Sequence, residues 1–358
     1  MAAETAEPLN GSPTTAGSRL RRWFLRLTVG LAVLAWLVWK TDWQKLATLF
    51  RQAEPLVWCV ALLLYAGVQM ALSSSRWRVL AAPLGFSAPW RRYFTLYYMG
   101  LFFNLFLPTT MGGDVIRAWT LAETKDRRLK AFWSVVSDRL SGLFALVLLA
   151  CLAMMLYDKP LPLWIHGTVW SLTVGMIVGY AALPWLGRHS SRFATAAQAL
   201  SVSGEHWRGW LLALGISVAV QSASIVQIAL MGRSLGLDVP LLGYAVVVPL
   251  VSLLAMLPIS VGGMGVREGS LILLLGPFGV SEAGALALGL SWFAMNLVMG
   301  LAGGLVYLFC RQAASPSGPG GVEAPPRASL LPRLEKTCHG PFGRDSSEGR
   351  AGQRTAAV

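Results

Sequence analysis

Apolar blocks of roughly twenty residues recur along this chain, most of them flanked by arginine or lysine. A block of about 20 apolar residues is long enough to cross a bilayer as a helix. Inside hydrocarbon every backbone N–H and C=O must find a partner within the protein, so the blocks predict helices. Charged residues make up 13% of the 358 residues, against about 25% in a soluble domain. The net charge of +13 does not indicate nucleic acid, because the basic residues form no common face. They lie between apolar blocks, where they set orientation. The expected fold class is therefore an all-α integral membrane protein.

Residues 1–18 are small and polar and are expected to be disordered. Arg19, Arg21, Arg22 and Arg26 then precede "LTVGLAVLAWLVW", which lacks a small-x-small cleavage site and reads as an uncleaved first span. Residues 41–52 place Trp43, Leu46 and Phe50 at helical spacing, as an interfacial helix or an ordinary connecting one. Further spans are expected at about 56–75, 131–156, 163–186, 209–231 and 283–310. Residues 312–358, rich in Pro, Gly, Ser and Arg, read as a disordered tail.

Two remaining apolar blocks break in the middle, at "LPTTMGGDVIR" (107–117) and "LPISVGGMGVR" (257–267). If 93–121 crossed the membrane fully, Arg117, Lys125, Arg127, Arg128 and Lys130 would face away from Arg76, Arg78, Arg91 and Arg92. That violates the positive-inside rule. If the block enters and leaves on one side, both groups face the cytoplasm, with the N-terminal arginines, Arg188, Arg192, Arg208 and Arg311. Treating 241–276 likewise gives seventeen basic residues inside, before the tail, and six outside: Lys40, Lys45, Arg51, Lys159, Arg233 and Arg267. The expected architecture is about six full spans plus two re-entrant broken-helix hairpins. Residues 19–156 and 163–310 then carry the same pattern in opposite orientation, as two inverted repeats, a recurrent transporter plan. The two motifs are 150 residues apart, with five identities in eleven columns. The competing explanation is chance similarity between two breaks in apolar sequence.

Pro108 and Pro258 stop a helix from running through. Thr109, Thr110 and Ser260 are able to cap the helix that follows. The pairs Gly112–Gly113 and Gly262–Gly263 permit tight turns or close backbone approach. Each break is thus expected to start a helix whose unsatisfied N–H groups and dipole receive an anion. Arg117 and Arg267 follow within the next turn or so, and each offers a fork to phosphate. The competing reading makes both arginines interface anchors and the glycines simple turn residues.

Asp138 and Arg139 lie about eight residues into their block, on the order of 12 Å deep. Charges there are expensive and are normally paired or functional. As sequence neighbours they should take different partners. Asp114 and Arg117 form a good i, i+3 pair, while Glu268 beside Arg267 is a candidate acceptor for a proton or a cationic headgroup. Asn104, Gln69, Gln221, Gln227 and Asn296 add polar groups within the apolar blocks, and for the glutamines and Asn296 the expected role is hydrogen-bonded glue. The four cysteines and four histidines show no metal-ligand spacing. No metal, cofactor or catalytic residue is expected.

The stretches "GLFFNLFLPTTMGGDVIRAW", "SVVSDRLSGL" and "LPISVGGMGVREGSLILLL" together resemble the flippase-like transmembrane domain of lysylphosphatidylglycerol synthases. The likeness covers roughly residues 20–312. It implies a lipid-binding or lipid-translocating protein of the bacterial inner membrane, and charge places both termini in the cytoplasm. By motif match it draws attention to Asn104, Pro108, Gly112, Gly113, Asp114, Arg117, Asp138, Arg139, Gly262, Gly263, Arg267 and Glu268. Fewer than fifty residues follow Arg311, too few for the soluble aminoacyl-transferase domain of those synthases, so aminoacylation is not expected. The lipid stays open: a phospholipid, an aminoacyl-lipid or a polyprenyl-phosphate glycan. No GxxxxGK[ST] is present, so ions, potential or a lipid gradient would drive movement, with Asp114, Asp138 and Glu268 as candidate carriers. Three other classes compete: a non-catalytic partner of a glycosyltransferase or lipid synthase, an intramembrane lipid-phosphate enzyme, and a transporter of a soluble solute. Oligomeric state is not legible.

Overall fold

Ten helices follow in chain order among the residues described here, which are 43–106, 112–158, 160–189, 207–256 and 263–312 of this computed structural model, with a few helical residues between 28 and 40. They are α1 (Trp43–Gln52), α2 (Pro55–Leu84), α3 (Trp90–Phe106), α4 (Gly112–Ala122) and α5 (Arg128–Leu156). The second set is α6 (Leu163–His189), α7 (Trp207–Ser234), α8 (Leu241–Met256), α9 (Val266–Leu275) and α10 (Glu282–Gln312). Four stretches are long and apolar enough to cross a membrane: Pro55–Leu84, Arg128–Leu156, Trp207–Ser234 and Glu282–Cys310. At about 1.5 Å per residue each extends beyond 40 Å. The expected first span and both proline breaks lie largely or wholly outside the described residues.

Helix α2 starts with Pro55 at its first turn, where a missing N–H does no harm. It passes through a π-helical segment, Leu64–Gln69, and closes in a 3₁₀ turn ending at Gly85 in the left-handed region, φ 87°. Single π segments inside α-helices recur at functional sites. Large apolar side chains such as Leu63, Leu152, Leu163, Val178, Leu212 and Phe309 remain exposed, as a lipid-facing surface requires.

The two broken blocks fold back on themselves. In α3–α4, Arg92 near the start of α3 pairs with Glu123 just past α4 at 2.6 Å and donates to Thr120 O. At the tip, Gly113 N donates to Asn104 Oδ1 at 2.8 Å. The pair is therefore antiparallel, with both outer ends at one level. In α8–α9, Gly243 packs against Phe278 at the outer end and Gly263 against Ala255 at the tip.

The outer ends of these pairs lie at opposite ends of the bundle. The α3–α4 end carries Arg127, which donates to Gly85 O and covers the Phe86 ring, and Gly209 against Val79. The α8–α9 end carries the Lys40–Glu282 ion pair, Glu54 N and Trp58 Nε1 donating to Ser234 Oγ, and Tyr157 against Phe278. A buried cluster of Trp77, Phe86, Tyr93, Leu96, Ala118, Leu121 and Val135 fastens α3–α4 to α2 and α5. Trp77 meets the Tyr93 ring edge-on at 5.0 Å. A larger cluster, including Ala150, Ile165, Ile228, Tyr244, Val248, Leu271 and Leu288, joins the second set of helices to α5.

The helix contacts cross between the two sets. Helix α3 packs on α10, where glycine allows close approach: Gly303 faces Tyr98 O and Gly304 faces the Phe102 ring. Helix α8 packs on α5, and α2 packs on α7. The α2–α7 contact includes a buried hydrogen bond from Gln69 Nε2 to Gln227 Oε1 at 2.7 Å. Gln221 Nε2 donates to Gly142 O, and Asn296 Oδ1 accepts from Tyr65. The glutamines and Asn296 thus join helices, as expected from their place in apolar blocks.

A buried arginine–aspartate cluster as the candidate functional site

The chain brings five charged side chains together inside the bundle. Asp114 and Arg117 lie in the first turns of α4, Asp138 and Arg139 lie on α5, and Arg76 comes from α2. Arg76 Nε meets Asp138 Oδ1 at 2.8 Å, and Arg117 Nη2 meets Asp138 Oδ2 at 3.0 Å. Arg117 Nε reaches Asp114 Oδ1 at 3.1 Å. Arg139 forks Asp114, with Nε to Oδ2 at 2.8 Å and Nη2 to Oδ1 at 2.9 Å. The chain of pairs runs Arg76–Asp138–Arg117–Asp114–Arg139, and its formal charge is +1. Four of the five side chains are at most 9% exposed, while that of Arg139 is 40% exposed.

Neutral groups complete the cluster. Tyr97 donates its hydroxyl to Asp138 Oδ2. Arg76 also donates to Ser217 Oγ on α7 at 3.3 Å. The Arg117 guanidinium lies between two rings, 4.8 Å from the Trp77 centroid and 4.4 Å from that of Tyr97. Charges in a bilayer-depth interior need this degree of pairing, because an isolated one would be expelled or neutralised.

The other broken pair brings a second charged group. Arg267, in the first turn of α9, packs its guanidinium over the Trp292 ring of α10 at 5.3 Å. One turn along α10, Asn296 accepts from the Tyr65 hydroxyl at 3.0 Å. Tyr65 sits in the π segment of α2. Glu268 is 1% exposed and accepts from Gly265 N at 2.6 Å.

Several site expectations are met in geometry and others change. Asp138 and Arg139 take different partners, and Asp114 pairs with Arg117 at i, i+3. Gly112 and Gly113 are buried where α4 closes on α3. Gly263 has φ 75°, as a tight turn requires. Asn104 caps α4 by accepting from Gly113 N, so that amide is already engaged. The Arg117 fork, expected to be open to phosphate, is committed to two aspartates in this structure. Glu268, expected as a carrier, caps α9 through Gly265 N, because a carboxylate one turn into a helix reaches the free amides at its start. Thr109, Thr110, Ser260 and Gly262 lie outside the described residues.

Sequence reasoning missed Arg76, Tyr97, Tyr65 and Trp292. The positive-inside reading places Arg76 among the cytoplasm-facing basic residues, yet it is 5% exposed and paired with Asp138. Its one local signal is the Ser73–Ser75 run before it, which makes that turn of α2 polar. The aromatic residues carried no signal, since they resemble their apolar neighbours. Among the described residues no group of three or more His, Cys, Asp or Glu is arranged to hold a metal ion.

Fold and site together define a multi-pass α-helical membrane protein with a charged cluster inside its bundle. The chain belongs to the family described as the lysylphosphatidylglycerol synthase TM region, which matches residues 23–304. It is 24% identical over 303 residues to a UPF0104 membrane protein of Methanothermobacter thermautotrophicus, covering 72% of this chain and 86% of that one. No solved structure matches it. The family places the protein among membrane proteins of lipid metabolism.

Proposed function

We propose that the protein is a lipid transporter of the flippase type. It binds an anionic headgroup between two halves related as inverted repeats and moves the lipid between leaflets. The headgroup belongs to a phospholipid, an aminoacyl-lipid or a polyprenyl-phosphate glycan. The observation that carries this reading is the entry of α3–α4 and α8–α9 from opposite ends of the bundle, the first contributing to the cluster that ends in the partly exposed Arg139 and the second carrying Arg267 on the Trp292 ring. Broken helices that meet near mid-depth are a recurrent way to build a substrate site, and rocking of one half on the other exposes it alternately. The surplus positive charge of the arginine–aspartate cluster suits a phosphate. The reciprocal packing of α3 on α10 and α8 on α5 supports the repeat relation.

The orientation follows from charge. The end bearing Arg78, Arg91, Arg92, Lys125, Arg127, Arg128, Lys130 and Arg208 is cytoplasmic. Single cysteines at positions 90 and 125 are expected to react with an impermeant thiol reagent from the cytoplasmic side, and one at 238 from the other. Positions 90 and 125 reacting from opposite sides would overturn the re-entrant arrangement.

Transport is tested in liposomes with labelled lipids, scored in both directions. Wild type is expected to move phosphatidylglycerol. Arg139→Ala and Arg267→Ala are expected to slow it about tenfold or more, the worth of one charge-assisted hydrogen bond. Unchanged rates in both variants sink the assigned site. No movement by wild type, with a glycosyltransferase or lipid synthase co-purifying, would instead favour the accessory reading.

A further inference from the structure

Arg139 differs from the rest of its cluster. Arg76, Arg117 and Asp138 are enclosed, whereas Arg139 presents a 40% exposed side chain whose Nε and Nη2 hold the two Asp114 oxygens at 2.8 and 2.9 Å. That fork–fork geometry accepts a phosphoryl group as readily as a carboxylate, because both offer two oxygens at matching spacing. Asp114 would keep a counter-charge if Arg139 turned away, since Arg117 Nε stands 3.1 Å from Oδ1 as an ion pair, although without hydrogen-bond geometry. Removing the only partner of a buried charge is strongly unfavourable; here a second partner stays. In the other broken pair, Arg267 stands on Trp292 of α10, one turn from the Asn296 that accepts from the Tyr65 hydroxyl.

We propose that the Asp114 carboxylate is an internal stand-in for the headgroup phosphate. An incoming phosphoryl anion displaces it from Arg139 and takes its place on the partly exposed guanidinium fork. Asp114 then stays on Arg117, and the Arg139 fork carries the ligand. This inference rests on the lipid-binding reading and names the recognised chemistry: the phosphoryl oxygens, whether they belong to a lipid or to free phosphate. The exchange keeps Arg139 charge-paired with the site empty or filled, so neither state buries a lone guanidinium.

The test uses full-length protein in a phosphate-free maltoside micelle, with binding followed by intrinsic tryptophan fluorescence. Phosphatidylglycerol, inorganic phosphate and diacylglycerol are titrated in turn. Asp114→Asn, which removes the competitor, is expected to bind phosphatidylglycerol and inorganic phosphate about tenfold more tightly, the equivalent of one lost competing contact. Arg139→Gln is expected to weaken both by about tenfold or more. Diacylglycerol, which has the acyl chains without the phosphate, is expected to respond to neither change. Should Asp114→Asn fail to fold, the double variant Asp114→Asn with Arg117→Gln keeps the cluster at +1 and is expected to show the same gain. Binding that is no tighter in either Asp114 variant overturns the exchange, as does an equal gain for diacylglycerol. Wild type that binds no phosphatidylglycerol and moves none overturns the parent reading too. Wild type that does both while Asp114→Asn gains nothing overturns the exchange alone.

Discussion

Asp138→Asn destabilises the protein by about 3–5 kcal/mol, the range for breaking a buried ion pair by removing one partner. Asp138 is fully buried and receives Arg76, Arg117 and the Tyr97 hydroxyl. An amide keeps the shape and can still accept hydrogen bonds. It withdraws the negative charge that offsets two enclosed guanidiniums, raising the cluster from +1 to +2. It also turns one end of the group into a donor, which then faces a donor. The helices held through Asp138 are α2, α3, α4 and α5, so the loss should propagate across the first half. Thermal unfolding in detergent checks this, with Arg139→Gln as the comparison because that side chain is partly exposed and its loss leaves Asp114 the Arg117 ion pair. If Asp138→Asn melts with or above Arg139→Gln, the carboxylate is not the keystone of the cluster.

Gly113→Ala is expected to disrupt the tip of α3–α4 although it adds one methyl group. A Cβ there would collide with Gly100 O and lie 2.8 Å from both Gly100 C and Asn104 Oδ1. The first neighbour is backbone and cannot rotate away, so α3 and α4 must part. Overpacking of this kind costs about 1–3 kcal/mol, and the Gly113 N–Asn104 hydrogen bond is strained besides. Parting the helices also moves Asp114, the next residue, away from the Arg139 fork. Gly100→Ala serves as a matched control on the facing helix, because its nearest neighbours would be an ordinary 3.6 Å away. The expected result is a clear drop in melting temperature and lost phosphatidylglycerol binding for Gly113→Ala, with Gly100→Ala near wild type. Equal behaviour of the two variants would falsify the close-approach role of Gly113.

The two predictions also mark where sequence reasoning was strong and where it stopped. The glycine pair at 112–113 was legible, because a glycine doublet beside a proline break has few structural uses. The different partners of Asp138 and Arg139 were legible from helical geometry alone. The identity of those partners was not. Arg76 is 62 residues from Asp138, and beyond the serine run before it nothing local distinguishes it from Arg78, which stays exposed near the end of α2. Likewise, Glu268 next to Arg267 looked like an exchangeable charge. Its capping role depends on Gly265 taking φ 78° and aiming its amide back along α9.

By itself the sequence determined that this chain is helical and lives in a membrane, because apolar run length and the distribution of basic residues are one-dimensional quantities. It also located the two breaks and the charged residues on α4 and α5. Only the tertiary structure decided who neutralises whom: that Arg117 is clasped by two aspartates between two rings, that Arg76 is interior, and that Arg139 stays partly exposed on Asp114. The reason is physical. Whether a bilayer-depth charge is spent on structure or left for a ligand depends on the distance to its counter-charge, and that distance is set by how helices far apart in sequence pack.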